Sequence, residues 1–504
     1  MMKSDNVCRT LKLEINFSFF RVLATLIVAI MLYLTSTSSA YAENTNLSDL
    51  ERKIWLSSQD ELSELEFEVV RQIQISPRST YAHYLVAIFY LRLFKEDPSM
   101  INRFKQASDL GQQALEIDKD SEFGYLITAS ILDIMGFSGK AKEIISSEYN
   151  ENIKESWRTL AFEAKLISSP RHYDQFRELM KRALTLEPRS LEILAPSIAG
   201  LLSSYYSPND RITKLNAWNK DFHHDVFDLA LGVAQAEAGN FKEADATYDH
   251  LIAHSPENNE ATINQAIIQY RKLDKPQKAI KAFNSSLQKL SPSEKIFEEI
   301  IYAHLGRAHL KQGQDNLAHM AFLSAMRKAK NPIVWIGFLA ESYDATKRFS
   351  SFDALLNELN EVIPGYSSLY GMRGRVLSEN LDQQTEAIKA YSNGLILDPH
   401  NSQFYTGIGL AHYRNKNISM ALSYFEQATK INPKDATARY NEACMLSMLG
   451  RTSEALGSLR EALILDPELT SLAKSDSDLD NIRANEQFED MMAQTSTPSI
   501  SRAP

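Results

Sequence analysis

Two histidines four residues apart, His250 and His254, form the best metal-type pair in the sequence. On a helix that spacing brings both imidazoles to one face, where they could ligate a divalent cation. No third ligand stands nearby and Pro256 ends the segment, so the plainer reading is two partly exposed histidines near a helix C-terminus, where the helix dipole suits them. His223, His224 and Asp225 adjoin in the sequence but point apart if helical. Cys444 lies between Ala443 and Met445 in the segment NEACMLSML, without a basic neighbour to lower its pKa, and reads as a packing residue. No G-x-S-x-G, P-loop, H-E-x-x-H, C-x-x-C or G-x-G-x-x-G motif occurs in the sequence. No catalytic residue, metal site or cofactor is therefore expected.

Glycine (18) and proline (16) are both scarce in 504 residues, which favours helices joined by short links over a many-stranded fold. The C-terminal half repeats itself. Apolar helices end the same way at Pro399, Pro433 and Pro467, at intervals of 34 residues. Between these prolines the units align: Tyr370, Gly374, Ala387, Tyr391 and Gly394, with one extra residue in the turn; then Tyr405, Ile408, Gly409, Ala421, Phe425 and Ala428; then Ala443, Ala455, Leu459 and Ala462. Upstream, Gly306, Ala318, Phe322 and Ala325 make a good unit, as do Gly232, Ala244 and Tyr248. Ala340, Phe352 and Leu356 make a degenerate one, with Phe352 where a small residue belongs. Ala266, Ala279 and Phe283 match loosely, and residues 191–220 fit no unit, with Pro196 set against a helix there. Gly409 and Ala421 are expected to face each other where two helix backbones approach closely. The aromatics at Tyr248, Phe283, Phe322, Tyr391 and Phe425 are expected to be core.

These residues resemble the tetratricopeptide repeat (TPR) family. The resemblance implies an all-α fold, a right-handed α-solenoid of antiparallel helix pairs with helical caps. The expected organisation is a signal peptide over 1–42, a linker and capping helix over 43–79, about ten helix pairs over 80–467, a C-terminal capping helix over 468–492, and a disordered tail over 493–504. In the C-terminal cap Leu479, Ile482, Phe488 and Met491 fall at near-helical spacing.

In this family the first helix of each pair lines a concave groove. Carried onto this sequence, the inward positions are Arg307 and Lys311, Glu341 and Asp344, Arg375, Tyr413 and Arg414, with Tyr440 and Asn441 from the last repeat. The groove then alternates basic, acidic, basic. Arg414 and Asn441 sit suitably for a remnant of the grip by which some family members hold a peptide carboxylate. The resemblance implies a scaffold that binds a protein or peptide segment. Alternatives are a non-catalytic subunit docking an envelope glycosyltransferase or synthase, and a carbohydrate-binding solenoid using groove tyrosines such as Tyr405 and Tyr413.

The N-terminus reads as an export signal. Lys3, Arg9, Lys12 and Arg21 supply positive charge, Val22 to Leu34 is unbroken apolar sequence, and Ala40-Tyr41-Ala42 fits small-x-small cleavage. The apolar run is short against the roughly 20 residues of a membrane span. A cleaved signal and a periplasmic or secreted location follow. The alternative is an uncleaved N-terminal anchor. Of the two cysteines, Cys8 would leave with the signal, so the mature protein has no internal disulfide, which suits a cell-envelope compartment. A net charge of -10 and the lack of any Lys/Arg run argue against nucleic acid. Peripheral association with membrane-bound complexes is part of the same expectation.

Overall fold

A computed structural model describes residues 47–57, 59–146 and 155–494. The expected signal segment and the last ten residues lie outside these. Among the described residues there are helices and no strands, and no helix is long and apolar enough to cross a membrane. The protein divides into two compact units between Lys295 and Ile296.

The N-terminal unit opens with α1 (Leu47–Leu56) and α2 (Gln59–Ile75). Six helix pairs follow: α3 (Thr80–Glu96) with α4 (Ile101–Ile117), α5 (Glu122–Ile134) with α6 (Ser138–Ile145), α7 (Trp157–Leu166) with α8 (Tyr173–Leu186), α9 (Leu191–Tyr205) with α10 (Pro208–Asp221), α11 (Asp225–Glu237) with α12 (Phe241–His254), and α13 (Asn259–Arg271) with α14 (Pro276–Lys289). The C-terminal unit has five pairs: α15 (Glu298–Lys311) with α16 (Asp315–Lys328), α17 (Ile333–Thr346) with α18 (Phe349–Val362), α19 (Ser367–Arg375) with α20 (Gln384–Leu397), α21 (Ser402–Arg414) with α22 (Ile418–Ile431), and α23 (Ala436–Met448) with α24 (Thr452–Leu465). The short helices α25 (Leu469–Ala473), α26 (Asp480–Arg483) and α27 (Glu486–Gln494) close it. Each unit is a stack of helix pairs, an all-α solenoid arrangement.

Local chemistry explains where the helices begin and turn. A proline cannot continue the second helix of a pair, and a polar cap soon after it opens the next first helix. The Ala82 amide donates to Ser79 Oγ (3.2 Å), the Ala261 amide to Asn258 Oδ1 (2.9 Å) and the Ala438 amide to Asp435 Oδ1 (3.0 Å). Inside most pairs the reversal passes through a left-handed residue. Gly239, Gly313 and Gly450 serve in their pairs, whereas Asp274, Lys347, Asp382 and Lys416 adopt φ of 53–60° despite their side chains.

One contact recurs from pair to pair. A glycine on the first helix lies against an aromatic ring on the second. A Cβ added at Gly232 would stand 2.6 Å from the Tyr248 ring, at Gly306 2.7 Å from Phe322, at Gly374 2.7 Å from Tyr391, and at Gly409 2.8 Å from Phe425. The expected partner of Gly409 was Ala421; Ala421 is fully buried, but the ring of Phe425 is what fills the space over the glycine. Tyr391 also meets Gly407 of the next repeat, where an added Cβ would stand 2.6 Å away, so one ring joins two repeats. All five aromatics expected in the core are buried.

Several local features are corrected or explained by the structure. Residues 191–220 form a helix pair, because Pro196 falls in the second turn of α9, where its missing N–H forgoes one bond to the Glu192 carbonyl. The fully buried Trp218 packs that pair against Phe176 and Phe227. The extra residue of the unit after Tyr370 is absorbed by a π turn, Val376–Asn380, in which the Leu381 amide reaches back to the Val376 carbonyl (3.2 Å). Phe352 is accommodated by stacking on Tyr343, centroids 4.7 Å apart. Finally, the C-terminal cap is not one helix. Asp476 and Asn485 turn their side chains onto the Asp478 and Gln487 amides (3.1 and 3.0 Å), breaking the segment, while Leu479, Ile482, Phe488 and Met491 still all point into the core. At the other end, residues 47–56 are helical rather than linker, and α2 carries the expected capping stripe through Leu62 and Val69.

The glycine–ring contact predicts two opposite outcomes. Gly409→Val overpacks Phe425 and should cost about 1–3 kcal/mol. Gly457→Ala, on a helix with nothing within 4 Å of the new methyl group, should gain about 0.5–1 kcal/mol. Thermal or urea unfolding of both variants measures the difference.

Candidate functional site

The expected groove residues of the C-terminal unit fall into three groups. The first is already neutralised. Arg307 on α15 donates to Glu341 on α17 (2.7 Å) and lies 5.1 Å from the Phe338 ring centroid. Asp344 is exposed and paired with Lys347 (2.9 Å). Lys311 is exposed and engaged in contacts of its own. The expected alternation of charge is therefore in part a link between neighbouring first helices.

The second group is covered by the C-terminal cap. The Tyr413 hydroxyl donates to Asp478 (3.0 and 2.9 Å to its two oxygens), and the Tyr440 hydroxyl to Asp476 (2.9 Å). Tyr440 is 0% exposed and Asn441 5%, so neither offers its side chain to a partner on an open face. Their place one turn earlier in α23 turns them into the core. Arg414 and Asn441 consequently form no carboxylate grip.

The third group remains available. Arg375 on α19 and Arg414 on α21 are half-buried, and the charges of both, with that of the exposed Glu379, act on the hydroxyl of Tyr391. Arg375 touches the Met372 sulfur (3.0 Å), and Arg414 donates to the Ser378 hydroxyl. Among the described residues neither meets a carboxylate. Two half-buried guanidiniums from adjacent repeats thus act on Tyr391 together with the Glu379 charge, and neither forms an ion pair among the described residues.

In the N-terminal unit the first helices hold the helix α1. Glu51 of α1 is 1% exposed. Arg158, the second residue of α7, donates to it through Nε (2.9 Å to Oε1) and Nη2 (2.5 Å to Oε2), and Tyr81 of α3 donates its hydroxyl (2.6 Å). The guanidinium is walled by Trp157, Tyr81 and Phe123, with centroids 4.5, 5.1 and 5.6 Å away. Burial pushes the Tyr81 hydroxyl pKa up, and the Glu51 charge adds to this. At the other end of α1, Arg92 of α3 donates to the Ile54 and Ser57 carbonyls. Burial lowers the pKa of Arg92. None of these residues follows from the repeat pattern. The only sequence signal was an arginine beside a tryptophan at the start of a first helix.

Among the described residues the histidines join no cluster of three candidate ligands. His254 Nδ1 lies 2.9 Å from the His250 carbonyl, and exposed His250 stands 3.8 Å from Asp228. His224 is the N-cap of α11, accepting from the Val226 amide (3.2 Å). Cys444 is buried, and its thiol pKa is pushed well up by burial and by the Asp476 charge. Its sulfur and the Asp476 and Asp478 carboxylates lie within 4.8 Å of one another, but the two carboxylates already accept the Tyr440 and Tyr413 hydroxyls.

A buried polar row on α13 was also missed. Asn259, Glu260, Asn264, Gln265 and Gln269 are all buried. Gln265 and Gln269 donate to Asp249 and Asp245 (2.6 and 2.9 Å), and Asn259 to Glu294 (3.2 Å). Among the described residues neither Glu260 carboxyl oxygen has a hydrogen-bond partner. Burial, with the Glu294 charge added, raises the Glu260 pKa from 4.5 to about 8.

Comparison with known proteins follows this geometry. Tetratricopeptide repeat models match residues 229–294 and 402–435. A TPR repeat-containing protein of Methanocaldococcus jannaschii is 22% identical over 62% of this chain and 52% of its own length. The peroxisomal targeting signal receptor of Saccharomyces cerevisiae is 20% identical over 67% of this chain and 53% of its own. The chain thus spans about half the length of these curated relatives. The solved C-terminal part of a TPR repeat-containing protein from Cytophaga hutchinsonii is 15% identical, with 50% of this chain and 99% of that one covered and a TM-score of 0.35.

Glu260 makes stability depend on pH. Between 4.5 and about 8 the native state keeps a proton that the unfolded state releases. Stability should therefore fall as pH rises across that window, by a few kcal/mol in order of magnitude, and level off above it. Glu260→Gln should flatten this dependence in urea titrations at pH 5, 7 and 9, pH values chosen to bracket about 8.

Proposed function

Because the chain belongs to the tetratricopeptide-repeat proteins, we propose that it acts as an extracytoplasmic adaptor in cell-envelope assembly, gripping an acidic segment of another protein and catalysing no step itself. The repeats make it a protein-interaction scaffold. The observation that carries the finer reading is the pair Arg375 and Arg414. The other arginine expected on this face, Arg307, already has a carboxylate partner, whereas among the described residues these two bond only Met372 and Ser378, with the exposed Glu379 the nearby charge acting with them on Tyr391. A half-buried guanidinium binds a carboxylate strongly because neither group then needs full hydration. The segment sought presents an acidic residue or a free α-carboxylate, in extended or helical form. One relative is, by its name, a receptor for a targeting signal; a short segment read on the same kind of repeat fits this proposal. The compartment rests on the leader-like run Val22 to Leu34, the Ala40-Tyr41-Ala42 site and the absence of a cysteine pair after it. Acidic net charge supports a protein partner over nucleic acid, with membrane-bound complexes reached peripherally.

Two measurements test this. N-terminal sequencing of the protein from the envelope fraction should begin at Glu43; a protein starting at Met1 in the membrane pellet would instead mean an uncleaved anchor. Affinity capture from that fraction should lose its bound protein when Arg375→Glu and Arg414→Glu are combined, since each charge-assisted hydrogen bond contributes about 1.5–3 kcal/mol. Circular dichroism must show the double variant folded. Full recovery of the same partner by a folded variant would remove these arginines from the site.

A further inference from the structure

The helix α1 is seated as a ligand is seated. It is not needed as a cap, because α2 already covers the end of the stack with Leu62 and Val69. It runs over the first helices of the first, third and fourth pairs: α3 through Tyr81 and Arg92, α7 through Arg158, and α9 through the exposed Arg52–Glu192 pair (2.5 Å). Its recognised elements are few and lie on one face. Leu50 and Ile54, four residues apart, are fully buried in the same core as Tyr84 and Ile88. Glu51 beside them meets an arginine held by three aromatic rings and a tyrosine hydroxyl. Arg92 takes the carbonyls at the C-terminal end of the helix, which fixes the direction in which a helix can lie.

A buried ion pair is a poor device for stability alone, because desolvating both charges offsets most of their attraction, and apolar residues of similar volume usually do as well. What such a pair supplies is register and choice of partner. A preformed arginine in an aromatic enclosure, read by a single glutamate on a terminal helix, has the make-up of an exchangeable recognition site.

We propose that the first-helix face of the N-terminal repeats is a docking groove for a short helix bearing the pattern Leu-Glu-x-x-Ile, that residues 47–57 are its resident ligand in the same polypeptide, and that a protein partner displaces them by presenting the same pattern. Tethering keeps the groove closed to weak competitors, because the attached helix acts at an effective concentration on the order of millimolar. A partner must therefore match the glutamate and both apolar residues to enter. This site is separate from the Arg375–Arg414 site and stands or falls independently of it.

The test uses the full-length protein and a fluorescein-labelled peptide of residues 47–57, LSDLERKIWLS. In the full-length protein with Leu50→Asp and Ile54→Asp the resident helix is released. Fluorescence anisotropy should show this variant binding the peptide roughly 10- to 100-fold more tightly than wild type does. A peptide with the glutamate replaced by glutamine should bind roughly tenfold or more weakly, and Arg158→Gln in the released variant should have the same effect. A released variant of unchanged helical content that binds the peptide no better than wild type would overturn the proposal. Hydrogen–deuterium exchange on the wild type decides the case where the released variant does not fold. The α1 amides should exchange at least about tenfold faster than those of α3, as an exchangeable element opens without the rest. Equal protection of α1 and α3 would make α1 a fixed strut and overturn the proposal. Dimerisation of the wild type that is lost on Arg158→Gln would make a second copy the occupant and equally overturn it.

Discussion

A ring laid on a glycine sets the spacing of helices in these repeats. Gly232 with Tyr248, Gly306 with Phe322, Gly374 with Tyr391 and Gly409 with Phe425 are the same contact at four places. With a side chain at the glycine, the two helices of a pair would have to separate or the ring would have to leave its rotamer. With the ring in place, the first helix lies close enough for its opposite side to meet the first helix of the next pair. Tyr391, resting on both Gly374 and Gly407, shows how one ring transmits this closeness from repeat to repeat. Where the contact is lost, another replaces it: in the pair α17 and α18 the stacked rings of Tyr343 and Phe352 occupy the space.

That close stacking decides what the first-helix faces can do. Side chains from neighbouring first helices stand within reach of one another, so opposite charges tend to satisfy each other before any partner arrives. Arg307 with Glu341 is one example. The terminal segments extend the same logic. The C-terminal cap brings Asp476 and Asp478 onto Tyr440 and Tyr413, and α1 brings Glu51 onto Arg158 and Tyr81. The protein's own side chains thus occupy much of the groove expected from the repeat pattern. Among the described residues Arg375 and Arg414 stand apart in forming no ion pair, and both sites proposed above lie on first helices.

Buried polar groups mark a second kind of constraint. On α13 the amide side chains mostly find carboxylates on α12, which fixes the register of the two helices. Glu260 finds none and is held as the neutral acid by burial. Such a group couples the packing of its pair to pH in a way that an apolar residue would not.

The all-α repeat, its period and its core were legible in the sequence because they depend on residue size at fixed intervals. Glycine, alanine, an aromatic ring and a terminal proline at a spacing of 34 residues can hardly mean anything else. Even the extra residue after Tyr370 was visible, although only the structure placed it in a π turn. The fate of polar side chains was not legible, because it depends on residues far away in the sequence. Tyr413 and Arg307 sat at positions that repeat geometry marks as open, yet Asp478, 65 residues on, and Glu341, 34 residues on, had already claimed them. Glu51 and Arg158 are 107 residues apart and carry no motif. Periodicity fixes which way a side chain points along its own helix. Only the stacking of pairs and the folding back of both terminal segments decide what it finds there.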